Sequence, residues 1–300
     1  MGTGKKICEL IEAPIFEGSP SVGLETSYCY IKSNMPLKPN LVFTDYTQKN
    51  EFVVIPCFSL AKNINPVMNK CENIRLDVLN SLHKNHFPII IGGDHSVAMA
   101  SIAAGSEIYG VDNYAVVYID GHCDINTEKT SVTHNIHGMP LAASLGLCCN
   151  ALQVGPLHKK IDGNNLFIIG ARSIDDPERI IIKNNSVHLY ENTDLLNGKL
   201  ETILSDLKKK IGDKKVHLSF DVDVLDPSVL TSTGYVIKNG ISLNTALQII
   251  DFVFANFDVV SADVVEYNPT MDVNNKDINV VLEIINHIVN GVSLKNKNPS

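Results

Sequence analysis

The sequence predicts an α/β fold, a single-domain three-layer sandwich in which a mostly parallel sheet is covered by helices on both faces. Two observations support this prediction. Short runs of continuously apolar residues, such as 88–91 and 114–119, alternate with segments of helical periodicity. Strands that are buried on both faces have this composition, and the alternation with helices is typical of parallel sheets. No change in composition marks a linker, so we expect one domain over residues 1–300.

The strands are predicted from the apolar runs and the helices from apolar residues at spacings of three and four. Strands are expected at residues 7–15, 51–58, 88–91, 114–119, 166–169, 187–190, 216–220 and 259–265. Helices are expected at residues 65–83, 97–105, 139–147, 175–183, 194–211, 243–254 and 277–289. The first strand is imperfect because Glu9, Glu12 and Pro14 interrupt it.

Composition excludes several classes of partner. The net charge of -8 comes without a basic block, so we expect no nucleic acid partner. No apolar stretch approaches the ~20 residues that cross a bilayer, and no signal peptide is recognisable, so we expect no membrane association. Seven cysteines are an odd number and lack the paired spacing of a zinc site. A reduced chain in the cytoplasm is the simplest interpretation.

Polar side chains follow four of the predicted strands. His95 comes after the strand at 88–91, Asp120 after 114–119, Asp221 with Asp223 after 216–220, and Glu266 after 259–265. In parallel α/β sheets, ligands bind outside the carboxyl ends of the strands. Residues that are far apart in sequence are therefore expected to meet along one edge of the sheet.

The stretch from Asp120 to Asp124 places potential metal ligands at every second position, with His122 between the two carboxylates. If strand geometry persists past Asp120, these three side chains project from one face. Clustered carboxylates repel one another and lose hydration when buried, so the arrangement is costly without a cation.

The composition of the whole cluster indicates which cation. Two imidazoles and four carboxylates form an oxygen-rich set that suits Mn²⁺ better than a structural zinc ion. Four carboxylates balance two divalent ions, which in binuclear sites lie roughly 3.5–4 Å apart and share a hydroxide. A lone aspartate after a strand is usually a turn or helix cap. Capping does not readily explain the joint occurrence of such residues at several strand ends.

Five motifs in this order are similar to those of the ureohydrolase superfamily, and of the arginase family in particular. They are Gly93-Asp94-His95-Ser96, the stretch from Asp120 to Thr127, His137-Gly138-Met139-Pro140, the stretch from Ser219 to Asp223, and Glu266-Tyr267-Asn268-Pro269. The motifs span residues 92–269, and the α/β pattern around them fits most of the chain.

The resemblance implies a ligand set and catalytic roles. One manganese ion would be held by His95, Asp120, Asp124 and Asp221, and the other by His122, Asp120, Asp221 and Asp223. Asp120 and Asp221 would bridge the two ions. Asp124 would act in catalysis as a ligand, His137 would shuttle protons to the leaving amine, and Glu266 would pair with the substrate guanidinium. A planar guanidinium is well matched to carboxylate oxygens.

The resemblance also implies residues that recognise the far end of the substrate. An α-carboxylate would accept hydrogen bonds from a loop of neutral donors: Asn126, Ser131, Thr133 and Asn135. The α-amino group would meet Asp175, with Glu178 as a weaker candidate. Asp175 could equally be a helix N-cap, and the two roles are compatible. Thr233 would line the site from another loop.

The implied reaction is hydrolysis of L-arginine to L-ornithine and urea by a metal-bridging hydroxide. The partner would be a small guanidino substrate, and resemblance alone implies a homo-oligomer, commonly a trimer. Two alternatives are a ureohydrolase acting on agmatine, guanidino acids or formiminoglutamate, and a non-catalytic binding or regulatory protein. The chain departs from the family pattern at Gly121, Ser173, Val224 and Tyr235, and a tyrosine at 235 could reshape the pocket.

Overall fold

A computed structural model describes residues 6–52, 59–156 and 160–295 of the chain. Its framework is one sheet of eight parallel strands in the order β2-β1-β3-β8-β7-β4-β5-β6. The strands are β1 (Cys8–Glu12), β2 (Leu41–Thr44), β3 (Phe87–Ile91), β4 (Tyr114–Ile119), β5 (Leu166–Ile169), β6 (His188–Tyr190), β7 (Lys215–Asp221) and β8 (Asp258–Val265). The predicted α/β fold class is therefore confirmed.

Helices cover both faces of this sheet. They are α1 (Ser27–Asn34), α2 (Ile64–His83), α3 (Ala98–Tyr109), α4 (Pro140–Ser144), α5 (Asp176–Asn184), α6 (Asn192–Leu196), α7 (Leu200–Ile211), α8 (Leu243–Asn256) and α9 (Asp277–Lys295). Side chains alternate along β4: Val117 joins the core that contains α7, α8 and α9, whereas Val116 joins the core that contains α2, α3 and α4. The result is three layers.

Several predicted elements need correction. The helix expected at 194–211 is two helices, α6 and α7, separated by Gly198 with φ of 76°. The helix expected at 139–147 ends at Ser144, close to Gly146 with φ of 78°. Of the strand expected at 51–58, residues 53–58 lie outside the described part of the chain, and residues 51–52 are not in a strand. The single-domain assignment stays a prediction.

Two elements were not predicted, α1 and the edge strand β2. The first is a helix of mixed polarity, and the second has only four residues with an exposed Val42. Neither presents the apolar pattern that the predictions use. Among the described residues, no helix has the length and apolar character needed to cross a bilayer.

The strand order explains where the polar clusters meet. Strands β3, β8, β7 and β4 are four consecutive neighbours in the sheet. His95 follows β3, Glu266 follows β8, Asp221 is the last residue of β7, and Asp120 follows β4. Because all four strands run in the same direction, their carboxyl ends bring these side chains to one edge, as predicted.

Candidate metal centre and substrate site

The first group of potential ligands surrounds the imidazole of His95. Its Nδ1 lies 2.9 Å from Asp120 Oδ2, 3.1 Å from Asp221 Oδ2 and 3.3 Å from Asp124 Oδ2. All four side chains are buried. The four residues predicted to hold one ion are therefore brought together.

The second group surrounds His122 and shares one carboxylate with the first. His122 Nδ1 lies 2.9 Å from Asp223 Oδ2 and 3.6 Å from Asp120 Oδ1. Asp120 thus offers one oxygen to each group, which is the geometry of a bridging ligand. Asp221 Oδ2 faces the His95 group, while Asp221 Oδ1 accepts a hydrogen bond from the Asp223 N–H at 2.7 Å. The bridging roles of Asp120 and Asp221 both stay predictions.

The backbone reaches this arrangement by a route other than the one predicted. β4 ends at Ile119, so Asp120, His122 and Asp124 do not share one face of a continuing strand. Asp124 adopts a left-handed conformation with φ of 48°, and His122 turns toward Asp223 instead of His95. Glu266 is also left-handed, with φ of 62°. Non-glycine residues in this region are uncommon and concentrate at functional sites.

Unsatisfied polar atoms inside the cluster test whether metal ions fit. His95 Nδ1 and Asp120 Oδ2 are buried and neither has a hydrogen-bond partner, although they lie 2.9 Å apart. Buried polar groups without partners are costly, and such atoms converging on one point are what a cation requires. The donor set is imidazole nitrogen and carboxylate oxygen, which matches a divalent transition metal. The residues therefore fit the implied ions.

A buried hydrogen-bond chain beneath the cluster sets the tautomer of His95. Ser219 Oγ donates to Asp263 Oδ1, so Ser219 can only accept from His95 Nε2–H, 2.8 Å away. His95 Nδ1 is then the nitrogen that faces the carboxylates. Asp263 Oδ2 is held in turn by His217 Nε2 at 2.9 Å and by the Ser101 hydroxyl at 2.9 Å. Partners of this kind orient metal-binding histidines.

The charges in the cluster shift the pKa values of its members. Burial lowers the pKa of His95, but its contacts with Asp120, Asp124 and Asp221 outweigh burial and hold the pKa well above its usual value. Burial, together with the neighbouring Asp223 and Asp120, raises the pKa of Asp221 far above its usual range. A divalent cation among these side chains would offset the burial and repulsion that disfavour the charged form of Asp221.

Glu266 and His137 lie beside the ligands. Glu266 Oε1 accepts a hydrogen bond from the His95 backbone N–H at 3.0 Å and lies 3.3 Å from His137 Nδ1. Glu266 Oε2 is buried and has no partner. Burial opposes the charge on His137, but the contact with Glu266 outweighs it and raises the pKa of His137. One carboxylate oxygen is therefore fixed and the other is free to bind a ligand.

Some of the residues predicted to bind the far end of the substrate contact one another. Asn126 Nδ2 donates to Asp175 Oδ2 at 2.9 Å. Asp175 also caps α5, and Glu178 completes the capping box by accepting from the Asp175 N–H at 2.9 Å. Burial raises the pKa of Glu178 to about 7. Asp175 itself is exposed, so the cap leaves it accessible to a ligand.

The remaining predicted residues are less directly connected. Ser131 Oγ accepts from the His134 N–H at 3.0 Å, and Thr133 Oγ1 accepts from the Asn135 N–H at 3.3 Å, so these side chains organise their own loop. No hydrogen bond in the described part of the chain joins them to Asn126. Thr233 is buried, and its hydroxyl has no partner.

Sequence reasoning missed two side chains that shape the site. The Tyr118 hydroxyl donates to Asp124 Oδ2 at 2.8 Å, and the Tyr118 ring stacks on His95 with centroids 4.3 Å apart. Arg172 donates to five backbone carbonyls, those of Asp223, Val224, Leu225, Ile237 and Lys238. Tyr118 lies inside an apolar strand run, where the pattern indicates only core. Arg172 carries no signal in the sequence, because its partners are backbone atoms.

Comparison with known proteins agrees with this geometry. The model of the Arginase family matches residues 32–290. The chain belongs to the arginase family. It is 34% identical to the arginase of Bacillus subtilis (strain 168) over 230 residues, which cover 76% of this chain and 77% of that protein.

Solved arginase structures share the fold. The native arginase structure from Bacillus caldovelox matches with a TM-score of 0.84 and 26% identity, over 95% of this chain and 98% of that one. The Entamoeba histolytica arginase in complex with L-ornithine matches with a TM-score of 0.83 and 26% identity, over 95% and 99%. Membership of the arginase family supports a hydrolase that acts on amidines. The arginase family binds a binuclear metal site, and the two groups of potential ligands that share Asp120 agree with this.

Proposed function

We propose that this protein hydrolyses L-arginine to L-ornithine and urea with two Mn²⁺ ions. The observation that supports the proposal most directly is the pair of ligand groups sharing Asp120, with the unpartnered Glu266 Oε2 beside them. The ions would be held by the six predicted ligands: His95, Asp120, His122, Asp124, Asp221 and Asp223. When bound, two divalent ions lower the pKa of water toward neutrality and so supply a nucleophile.

Glu266 and His137 act on the guanidinium end of the substrate. The His95 N–H fixes Glu266 Oε1, which leaves Oε2 to accept a hydrogen bond from a guanidinium N–H. The same carboxylate raises the pKa of His137, which favours the protonated imidazole. His137 can then protonate the amine as it leaves.

The group around Asn126 favours arginine over agmatine. Agmatine lacks the α-carboxylate, and the loop after Asn126 offers the neutral donors that a carboxylate accepts, at Ser131, Thr133 and Asn135. The exposed Asp175, already bonded to Asn126, supplies a negative charge for the α-amino group. Arginine matches both features, whereas agmatine keeps the amino group and lacks the carboxylate.

Urea release from arginine, agmatine and guanidinobutyrate, measured after manganese loading, tests the proposal. We expect about two Mn²⁺ per chain and the highest kcat/KM for arginine. Asp112→Asn, at an exposed acid, is the control for Glu266→Gln, which should abolish urea release. A higher kcat/KM for agmatine would instead support the alternative ureohydrolase. A chain that binds no manganese and releases no urea would support a non-catalytic protein.

The proposal also covers the assembly and the location of the protein. We propose a homotrimer on resemblance alone, and light scattering of the loaded protein would test it. We propose a cytoplasmic location because the seven cysteines of the sequence are an odd number without paired spacing, which suits a reducing compartment.

A further inference from the structure

Tyr235 lies between a metal-ligand candidate and the proposed proton donor. Its ring stacks on His137 with centroids 5.2 Å apart and an interplanar angle of 29°, and meets His122 edge-on at 6.0 Å. Tyr235 is half-buried, and no hydrogen bond to its hydroxyl is found among the described residues. The ring therefore lies against functional side chains without a structural bond of its own.

The loop that bears Tyr235 also borders the free oxygen of Glu266. A Cβ placed on Gly234 would be 3.9 Å from Glu266 Oε2 and 2.2 Å from Ser21 Oγ. The preceding residue, Thr233, is buried with an unpartnered hydroxyl. Two buried polar atoms near this segment therefore lack partners. Thr233 Oγ1 belongs to the segment that leads into Tyr235, and Glu266 Oε2 lies beside it.

Hydrogen bonds anchor the loop just after Tyr235. Arg172 Nη2 donates to the Ile237 carbonyl at 2.8 Å and Arg172 Nε to the Lys238 carbonyl at 3.3 Å. The Asn192 side-chain amide donates to the Asn239 carbonyl. A ring on an anchored loop resists displacement by a ligand. The bulk of the Tyr235 ring therefore limits the size of the ligand group that fits beside Glu266.

We propose that Tyr235 is a specificity-determining residue that restricts the site to an unsubstituted terminal guanidinium. The Tyr235 ring stacks on His137, whose Nδ1 lies 3.3 Å from Glu266 Oε1. A methyl group on a terminal nitrogen of a guanidinium paired with Glu266 Oε2 would therefore press the ring toward His137 or His122. This inference rests on the proposed function, because it specifies which guanidinium groups the proposed substrate site admits.

The test compares kcat/KM for arginine with kcat/KM for arginine methylated on one terminal nitrogen. Wild type, Tyr235→Ala, Tyr235→Leu and Tyr235→Phe are assayed after manganese loading, with Val236→Ala as a control for an exposed side chain on the same loop. Metal content and thermal midpoint verify that each variant is intact. One methyl group in a fitted pocket is worth about 10–200-fold. We expect Tyr235→Ala to shift the ratio at least ~10-fold toward the methylated substrate, and Tyr235→Leu to shift it less.

The ratio separates selectivity from general damage. A loss of His137 positioning would lower kcat for both substrates and leave their ratio unchanged. Tyr235→Phe and Val236→Ala should keep the wild-type ratio, because neither removes the bulk of the ring. An active wild type whose ratio is unaltered in both Tyr235→Ala and Tyr235→Leu overturns the inference alone. A manganese-loaded wild type that hydrolyses no guanidine overturns the proposed function, and the inference with it.

Discussion

The buried chain beneath His95 makes Ser219→Ala an informative perturbation. Ser219 is fully buried and links His95 Nε2 to Asp263 Oδ1. The substitution removes one oxygen, changes no proposed ligand, and leaves an N–H and a carboxylate oxygen without that partner. Asp263 keeps its other oxygen on His217 and Ser101, so the rest of the chain remains in place.

The structure sets the expected magnitude. A buried group left unsatisfied costs about 1–3 kcal/mol, more when it is charged, so the metal-free protein should lose about this much free energy of unfolding. The imidazole of His95 also loses the acceptor that fixes its tautomer. Loss of such a partner typically weakens metal binding about 10–100-fold. Because His122 has no bond to Ser219, weakening should be confined to the ion at the His95 group.

This loss of affinity is measured by titrating manganese into the metal-free protein. Binding is followed by calorimetry and, separately, by electron paramagnetic resonance. We expect one of two binding events to weaken in Ser219→Ala and the other to keep its wild-type affinity. Ser228→Ala is the matched control, because Ser228 is exposed and its side chain bonds to Asp226, which is itself not a proposed ligand. If Ser219→Ala bound both ions with wild-type affinity, the tautomer argument would be wrong.

Three further predictions concern a ligand, an aromatic support and a remote acid. Asp223→Ala should lose manganese at the His122 group and urea release together, measured by metal analysis and assay, and full activity would refute the assignment. Tyr118→Phe keeps the ring on His95 but removes the bond to Asp124, so manganese affinity should fall about 10-fold or more. Burial raises the pKa of Glu9, but Thr44 and His86 outweigh it, so the folded pKa lies below 4.5. Glu9→Gln should therefore lose stability above this value, and denaturation curves of variant and wild type should converge as pH falls through the folded pKa.

The strand ends were predictable because burial leaves a strong sequence signal. Strands β3, β4 and β5 are continuous apolar runs, whereas β7 and β8 carry polar residues among the apolar ones. The candidate clusters lie at or just past the ends of β3, β4, β7 and β8. Parallel direction then brings the clusters together whatever the lengths of the connections. This is why ligands as far apart in sequence as His95 and Asp223 could be assigned to one site.

The details within the cluster were not predictable, because tertiary contacts set them. The left-handed backbone at Asp124 and Glu266 has no local cause such as glycine. The side chains of these residues are held by contacts within the folded site: Asp124 Oδ2 accepts from the Tyr118 hydroxyl, and Glu266 Oε1 accepts from the backbone N–H of His95. Periodicity cannot indicate such a bend, and the condition that strand geometry persists past Asp120 is not met because β4 ends at Ile119.

Polar residues inside strands β7 and β8 acquire a function only when the strands are paired. In sequence, His217 and Asp263 interrupt apolar runs and would destabilise an isolated buried strand. In the sheet, His217 Nε2 lies 2.9 Å from Asp263 Oδ2. Burial alone would raise the pKa of Asp263, but the contact with His217 outweighs burial and lowers this pKa. The pair therefore maintains a negative carboxylate that reaches His95 through Ser219. The metal candidates at the strand ends thus depend on charges placed within the sheet, and the apolar framework alone does not build the site.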